Sequence, residues 1–484
     1  MTLTRRRFLI HAGTMAAAVG ACGRVRMPET YDLCIIGSGF AGTYLGLRAV
    51  ENRLHTILIE AGSSPQPLPD EHSLKESFGF SNSGATRYPV NGIRDIAVGG
   101  TSTHWGGVMV RLWPSDFRMR SEFGLYVDWP LTFEDLEPYY CQAEKLLSVK
   151  GHDPASIAEP ARQCRYPVEN PEPYRAPELE IEGVQAAFSS VPHSRRNGDF
   201  ALRLFDEEIP AFMASEYGTL VEDRQVCRIV TLDGRSIDHV EIRGLDGSVD
   251  QVRARCFVIA AGTIESARLL LSSTSSWFPT GLGNANDLVG RFFNVHPSIQ
   301  TRFDVRQDLG LPPGQHRTCS LNDSHRRAGV NASHYQMDVA GNGRVRWRVQ
   351  PEIEPRHENR VTLNSRQKDA FDNPLPDIGF GYSPRDLLTL ERARESTEWA
   401  KRMLAASGSE ATKHDRWRAH PAGTCRMASN PESGVVDQWN RVYGLENLYV
   451  SGAATFPTSG TANPTETLVA LTLRLADHLE GLLS

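Results

Sequence analysis

A glycine-rich turn between two apolar runs places the strongest constraint on the fold. Residues Tyr31–Ile36 are apolar and lead into Gly37-Ser38-Gly39-Phe40-Ala41-Gly42; a helical pattern follows, and the apolar run Thr56–Ile59 ends on Glu60. This order predicts strand, turn, helix and strand, with an acid about 20 residues beyond the glycines. The glycines let the backbone approach a pyrophosphate at the helix N-terminus, and Glu60 would accept hydrogen bonds from ribose hydroxyls. The segment predicts a dinucleotide-binding α/β domain.

Composition excludes several other classes of protein. The 484 residues include 52 Lys and Arg against 58 Asp and Glu, and 40% are hydrophobic, which is ordinary globular composition and excludes a disordered chain, a fibre and a multi-span membrane protein. The length predicts two domains or one large α/β unit. Because no long run of Lys and Arg is present to neutralise phosphates, nucleic acid is not an expected partner.

Cysteine and metal-ligand spacing exclude further chemistry. The eight cysteines contain no CxxC pair, so neither a zinc ribbon nor a dense disulfide framework is predicted, and Cys34 and Cys256 are expected to pack as small hydrophobic residues. No HExxH motif or carboxylate cluster indicates a metal.

The N-terminus predicts export. Thr4-Arg5-Arg6-Arg7-Phe8-Leu9 and an alanine-rich stretch are typical of a twin-arginine signal over residues 1–22, too short to span a bilayer. We expect a periplasmic protein. Val19-Gly20-Ala21-Cys22 resembles a bacterial lipobox, so two alternatives stay open: Cys22 is lipidated and anchors the protein to the membrane, or an ordinary signal is cleaved nearby.

Strand and helix patterns predict two interleaved domains. The nucleotide-binding domain is expected to comprise residues 27–150, 223–300 and 415–484, and the inserted α+β substrate domain residues 151–222 and 301–414. In the latter, Val361–Leu363 and Ile378–Phe380 predict antiparallel strands. The final helix should begin near Pro464, with Asn463 as its N-cap.

Four ordered segments carry a family resemblance. They are Gly37–Gly42 with Glu60; Gly99-Gly100-Thr101-Ser102-Thr103-His104-Trp105; His420-Pro-Ala-Gly-Thr-Cys-Arg-Met427; and Asn447-Leu-Tyr-Val-Ser-Gly452 with Ala462–Thr465. Together they resemble the glucose-methanol-choline (GMC) family of FAD oxidoreductases, in particular the sugar-oxidising branch that includes pyranose 2-oxidase and bacterial sugar dehydrogenases. The resemblance implies a Rossmann-type FAD-binding domain with an inserted substrate domain built on a mostly antiparallel sheet.

The resemblance also implies roles for single residues. His420 would take the hydroxyl proton of an alcohol and Asn463 would hold the substrate oxygen, while the alternative for Asn463 is a helix cap alone. Beside the glycine turn and Glu60, the expected FAD-binding residues are Gly100, Thr101, Ser102, His104, Trp105, Val226, Gly262, Gly452, Ala453, Pro464 and Thr465. His296 and His357 lack a catalytic neighbour in the sequence, and we expect them to be structural.

The match at His104 predicts a covalent flavin. In pyranose 2-oxidase, the histidine of a Ser-Thr-His-Trp motif is linked to the flavin 8α-methyl group, and His104 matches it. Gly106 departs from that pattern, where a threonine contacts the flavin. Noncovalent packing of His104 against the flavin is the alternative.

The resemblance implies an exported FAD oxidoreductase that converts a CH–OH group of a sugar or glycoside to a ketone. The alternatives are oxidation of a non-sugar alcohol or sterol, a lyase that holds FAD without redox use, and a non-catalytic FAD-binding component. The electron acceptor stays open between oxygen, a quinone and a cytochrome. Because the chain has no CxxCH motif, a cytochrome would be a separate subunit.

Overall fold

The computed structural model describes residues 30–64, 79–89, 94–151, 160–169, 178–181, 184–194, 201–309, 316–340, 342–408 and 412–484. The predicted export signal, including Cys22, lies outside these residues. Within the described ranges, no helix has the length and apolar character needed to cross a bilayer.

The described residues form eight helices and twenty-two strands. The helices are α1 Phe40–Glu51, α2 Met119–Phe123, α3 Phe133–Leu146, α4 Glu208–Ala214, α5 Gly262–Ser272, α6 Asn322–Arg327, α7 Pro384–Leu404 and α8 Pro464–Leu483. The strands are β1 Tyr31–Ile36, β2 Thr56–Ile59, β3 Ser81–Asn82, β4 Val149–Gly151, β5 Val168–Glu169, β6 Glu178–Ile181, β7 Val184–Ala187, β8 Ser189–Ser190, β9 His193–Ser194, β10 Gly218–Val221, β11 Arg224–Thr231, β12 Ile237–Gly244, β13 Val249–Val252, β14 Ala254–Ile259, β15 Asn294–Asp304, β16 His316–Ser320, β17 Ser333–Val339, β18 Arg344–Pro351, β19 Arg360–Lys368, β20 Pro374–Gly379, β21 Thr412–Ala422 and β22 Leu448–Val450.

A five-stranded parallel sheet confirms the predicted dinucleotide-binding fold. Its order is β10-β2-β1-β14-β22, and β1 pairs in parallel with both β2 and β14. Nearly all residues of these three strands are buried, as expected where both faces of a parallel sheet are covered. Because parallel strands end at the same edge, the turns after β1, β2, β14 and β22 meet there.

A six-stranded sheet of order β21-β15-β18-β17-β16-β8 forms the second layer. All its pairings are antiparallel, as predicted for the substrate domain. Along β18, Val345, Trp347 and Val349 are buried in a hydrophobic core to which α7 also contributes, whereas Arg346 and Arg348 alternate with them. The sheet therefore has one apolar face and one polar face. The strands predicted around Val361 and Ile378 also pair antiparallel, as β19 and β20.

The domain boundaries expected at 222, 300 and 414 do not separate the sheets. Strand β10, on the substrate side of the first boundary, pairs with β2 in the parallel sheet. Strands β15 and β21 run through the other two boundaries and pair with each other. Local composition could not reveal this, because β15 and β21 are long strands that each extend across an expected boundary.

A buried charged cluster and a disulfide support the first turn of α8. Cys141 on α3 is bonded to Cys164, a pairing that the sequence did not indicate. Beside it, Arg111 Nε lies 2.9 Å from Glu144 Oε1 and 3.5 Å from Glu466 Oε1. These groups are almost fully buried, so removing one charge would leave its partners uncompensated. The cluster thereby fixes the helix start that carries Asn463.

Candidate active site

A cavity of about 890 Å³ lies between the carboxyl edge of the parallel sheet and the polar face of the antiparallel sheet. The glycine turn lies at one part of its wall, and His420 and Asn463 lie at another. The volume is at the upper end of the range of small-molecule sites, about 300–1,000 Å³. The cavity is therefore large enough for a cofactor together with a substrate. Among the described residues, no cluster of side chains is suited to hold a metal ion.

Glu60 closes the dinucleotide end of the cavity. One carboxylate oxygen accepts hydrogen bonds from Ser38 N–H at 2.9 Å and Ser38 Oγ at 2.7 Å, and the other accepts from Gly62 N–H at 3.0 Å. Burial raises the pKa of Glu60. The carboxyl group lines the cavity and is held in place from the protein side, which fits a group that receives ribose hydroxyls.

The three glycines of the turn have different surroundings. A Cβ atom at Gly39 would meet no atom within 4 Å, so this residue leaves open space beside the N-terminus of α1. A Cβ at Gly42 would lie 1.8 Å from Gly37 O, and Gly37 itself has φ of 101°. The first arrangement admits a phosphate close to the backbone, and the second lets α1 pack on the turn. The residues present therefore fit FAD.

We expect Gly42→Ala to abolish FAD binding, because its Cβ atom would push α1 away from the turn. The purified variant should show less than a tenth of the parent ratio of flavin to protein absorbance, with the far-ultraviolet circular dichroism of a folded chain. Gly481→Ala is the matched control, since a Cβ there meets open space. A fully flavin-loaded Gly42→Ala protein would contradict this role of Gly42.

His104 lies on the cavity wall in contact with an acid. Its Nδ1 is 2.6 Å from Asp95 Oδ2, and Thr103 Oγ1 donates to the same carboxylate. Although burial of Asp95 opposes ionisation, these two hydrogen bonds hold the pKa of Asp95 below its ordinary value. Nδ1 therefore carries the proton shared with Asp95. Nε2 has no hydrogen-bond partner in the described part of the chain.

Most predicted cofactor residues line this one cavity. The residues that do so are Gly37, Gly39, Glu60, Gly100, Thr101, His104, Trp105, Val226, Gly262, Gly452, Ala453, Pro464 and Thr465, together with His420 and Asn463. Gly42 and Ser102 do not, which corrects their assignment as cofactor contacts. Gly42 lies behind the turn against Gly37 O, and Ser102 is fully buried, where its Oγ donates to Gly99 O and accepts from Leu204 N–H.

A β-bulge positions His420. Across the β15–β21 pair, Asn294 is opposite Ala422 and His296 is opposite Ala419, so two residues, His420 and Pro421, oppose one. His420 has φ of 58°, a left-handed conformation uncommon for a residue other than glycine. Such a bulge redirects a side chain, and strained backbone of this kind is found at functional sites. It places the imidazole on the cavity wall.

A hydrogen-bond chain sets the tautomer of His420. His296 Nε2 is 2.9 Å from Gly460 O, which only accepts, so Nε2 carries the proton of His296 and its Nδ1 is an acceptor. His420 Nδ1 lies 3.0 Å from that atom and therefore donates to it. The lone pair of His420 is then on Nε2. His296 was expected to be structural and to lack a catalytic neighbour; it contacts His420, because pairing of β15 with β21 brings together residues 124 positions apart.

Burial keeps both imidazoles neutral. Burial, assisted by Arg348, His296 and His334, holds the pKa of His420 well below 6.5, and burial lowers the pKa of His296 to about 4. Neutral His420 can accept a proton at Nε2 at any pH near 7.

Asn463 faces His420 from the start of α8. Its Nδ2 lies 3.3 Å from His420 Nε2, and Oδ1 is buried without a hydrogen-bond partner. Helix α8 begins at Pro464 as predicted, but the Asn463 side chain makes no capping hydrogen bond. The alternative in which the Asn463 side chain only caps the helix is therefore not supported, because that side chain makes no capping hydrogen bond. The amide and the imidazole form a polar pair on the cavity wall.

On the sheet that carries His420, the polar face presents cross-strand rows of side chains to the cavity. Sequence reasoning missed these residues, because their strands are far apart along the chain. Two rows cross three strands, Gln300–Arg348–Gln336 and Arg302–Arg346–Asp338; toward the His296 end of β15, Gln350 pairs with His334, and Ser298 precedes Gln300 by two residues. All except His334 line the cavity. The sequence feature that could have identified them is the alternation of polar and apolar side chains along each strand.

The sequence of this chain is similar to those of known proteins. Residues 355–472 match the family model described as "GMC oxidoreductase", at its C-terminal domain. The fructose dehydrogenase large subunit of Gluconobacter japonicus is 26% identical, covering 93% of this chain and 97% of that protein. The 6'''-hydroxyparomomycin C oxidase of Streptomyces lividus is 28% identical, with 93% and 92% covered.

A solved structure has the same fold. Pyridoxine 4-oxidase from Mesorbium loti superposes with a TM-score of 0.65 at 18% identity, covering 93% of this chain and 99% of that one. At this identity the similarity shows the fold alone.

Proposed function

The chain belongs to the GMC oxidoreductases, and on that premise we propose that it oxidises a secondary CH–OH group of a sugar or glycoside to a ketone. The proposal rests on the hydrogen-bond chain from Gly460 through His296 to His420, which leaves a lone pair on His420 Nε2 beside Asn463. A lone pair held at a fixed point in a cavity suits a base that removes a hydroxyl proton.

The chain's own residues would divide the reaction between them. His420 Nε2 takes the hydroxyl proton. The Asn463 amide can hold the same oxygen, because Asn463 Nδ2 lies 3.3 Å from His420 Nε2. FAD, when bound, would accept the hydride from the carbinol carbon. The hydroxyl proton and the hydride together account for the two hydrogens that the alcohol loses as it becomes a ketone.

The polar rows favour a polyhydroxylated substrate. Glutamine and arginine side chains of β15, β17 and β18 line the cavity wall, and such groups donate to and accept from hydroxyls. A sterol would leave them buried and unpaired, which is costly. A small non-sugar alcohol is the remaining alternative; a non-catalytic binding component would not need the held pair of base and amide, and a redox-silent lyase would not bleach the flavin with any alcohol.

We further propose that His104 holds the flavin covalently. With Nδ1 engaged by Asp95 at 2.6 Å, Nε2 is the nitrogen available to form the bond. Nε2 would bond to the 8α carbon as the imidazole proton and one methyl hydrogen are lost; two protons leave, and the two electrons go to the external acceptor. A fixed ring and a neighbouring carboxylate that accepts a proton favour this step.

The acceptor that reoxidises the protein is proposed to be oxygen, a quinone or a separate cytochrome subunit. One relative is named a large subunit, which supports a multi-subunit assembly.

Anaerobic addition of substrates to the oxidised holoprotein tests the function. Mono- and disaccharides, glycosides, small alcohols and sterols are compared by the loss of flavin absorbance near 450 nm, and products are identified by mass spectrometry. Rapid bleaching by a sugar with formation of a keto-sugar supports the proposal. Bleaching by non-sugar alcohols alone, or by no compound, would overturn it.

We also propose twin-arginine export to the periplasm, with Cys22 as a lipid anchor, from the sequence of the N-terminus. Arg5→Lys combined with Arg6→Lys should retain active holoprotein in the cytoplasm. Arg24→Lys with Arg26→Lys, beyond the signal, is the control and should leave export unchanged. Activity is measured in periplasmic, membrane and cytoplasmic fractions, and unchanged periplasmic activity of the first variant would exclude this route.

A further inference from the structure

The antiparallel sheet presents an excess of positive charge to the cavity. Arg302, Arg346 and Arg348 line it together with one carboxylate of the same face, Asp338. Arg346 Nε donates to Asp338 Oδ2 at 2.6 Å, so that carboxylate is already engaged. Among the described side chains of this sheet that line the cavity, three guanidinium groups and one carboxylate give a formal charge of +2.

Arg348 is the central cation of this face. It donates from Nη1 to Gln336 Oε1 at 3.1 Å, and its Nε has no partner. Among the residues whose side chains the structure describes, no carboxylate lies at ion-pair distance from Arg348 or Arg302. Burial and the neighbouring Arg346 lower the pKa of Arg348 to about 10, so it still carries its charge near pH 7. A charge of this kind, partly buried and unpaired, is costly unless a ligand supplies the anion.

The position of Arg348 in the sheet gives its approximate distance from the His296–His420 pair. Its cross-strand neighbour Gln300 lies four residues from His296 along β15, about 13 Å at 3.3 Å per residue. Gln300 and Gln336 flank it in the same row and can bind hydroxyls. A ligand that reaches from His420 to this row would place one end at the base and the other at a guanidinium.

We propose that the substrate is an acidic carbohydrate, whose carboxylate binds Arg348 while a CH–OH group at the other end meets His420 and Asn463. The inference rests on the proposed sugar oxidation and adds the charge of the substrate. Arginine suits this role because its planar guanidinium forms paired hydrogen bonds with a carboxylate. The same wall disfavours amino sugars, whose protonated amines would meet like charge.

The test compares matched neutral, acidic and amino substrates with the holoprotein. The pairs are glucose with glucuronate and gluconate, and cellobiose with cellobionate, with glucosamine as the cation. Flavin reduction is measured anaerobically at pH 8, where His420 is neutral with or without Arg348. We expect at least one acid to reduce the flavin about 10- to 100-fold more efficiently than its neutral counterpart, the worth of a charge-assisted hydrogen-bonded pair.

Arg348→Gln should remove this preference, lowering the efficiency with the acids about 10- to 100-fold more than with their neutral counterparts, whereas Arg348→Lys should keep part of the preference. Arg344→Gln is the matched control: it lies on the same strand and side, is exposed, and does not line the cavity. Calorimetric titration of the acids into holoprotein carrying His420→Ala, with and without Arg348→Gln, measures binding without turnover.

The outcomes separate this inference from the proposed function. An acid preference that Arg348→Gln abolishes, in both flavin reduction and binding, supports the inference. Equal or better reduction by neutral sugars overturns it and leaves the proposed function standing. An equal loss with neutral and acidic sugars in Arg348→Gln also overturns it, because the role would then be structural. No reduction by any sugar overturns the proposed function itself.

Discussion

Replacing His420 by alanine is expected to slow anaerobic reduction of the flavin by the preferred sugar about 10²- to 10⁴-fold, the usual contribution of a positioned base. The flavin content should stay at the parent value, because His420 contacts the substrate side of the cavity. Stopped-flow absorbance with a saturating sugar measures the effect. His357→Ala is the control, since His357 contacts Arg291 and does not line the cavity.

The pH profile gives a second readout of the same residue. Because burial and neighbouring charge hold the pKa of His420 well below 6.5, the base stays neutral at and below that pH. The parent rate constant for flavin reduction should be level from pH 8 to 6.5 and decrease only under more acidic conditions. A decrease centred near pH 6.5, or a His420→Ala variant that reacts at the parent rate, would exclude this assignment.

The second large effect concerns His104. We expect acid-precipitated parent protein to remain yellow and a tryptic peptide containing His104 to carry the mass of the flavin. His104→Ala should release all of its FAD on precipitation while the chain stays folded. The result is close to all or none, because a carbon–nitrogen bond survives acid and a packing contact does not.

Asp95→Asn separates attachment from binding. It keeps the shape of the side chain that contacts His104 Nδ1 but removes the negative charge, so FAD should bind and be attached to only a fraction of the molecules. Glu222→Gln, a surface acid that accepts from Ser64, is the control. A yellow supernatant from the parent protein after precipitation would show that the bond is absent and that His104 only packs against the cofactor.

The dinucleotide half of the site could be predicted from the sequence because its determinants are local. Gly37, Gly39 and Glu60 lie within one strand–turn–helix–strand unit, and the strand bounds Tyr31–Ile36 and Thr56–Ile59 agree with the structure. The motif could not distinguish glycines that face the cofactor from the one that packs behind the turn. That distinction depends on where a neighbouring carbonyl lies, which no local pattern records.

The substrate half could be predicted only in part, because its determinants are long-range. His420 and Asn463 stand in recognisable motifs, but His296 enters the site through a strand pairing, and its orientation depends on Gly460 O. The arginines of β18 alternate with buried residues, which is typical of a strand with one solvated face. The sequence could not show that this face meets a cavity instead of bulk solvent.

The two unlike faces of the antiparallel sheet make specificity separable from folding. Since neighbouring residues point to opposite sides, a change at Gln300, Gln336, Arg348 or Gln350 touches the ligand, while Trp347 and its neighbours keep the packing with α7. Divergence toward new substrates can therefore proceed by exchanging these side chains as a set while the scaffold keeps its stability. A library randomised at those four positions in the parent background should stay mostly folded and yield altered substrate profiles at high frequency.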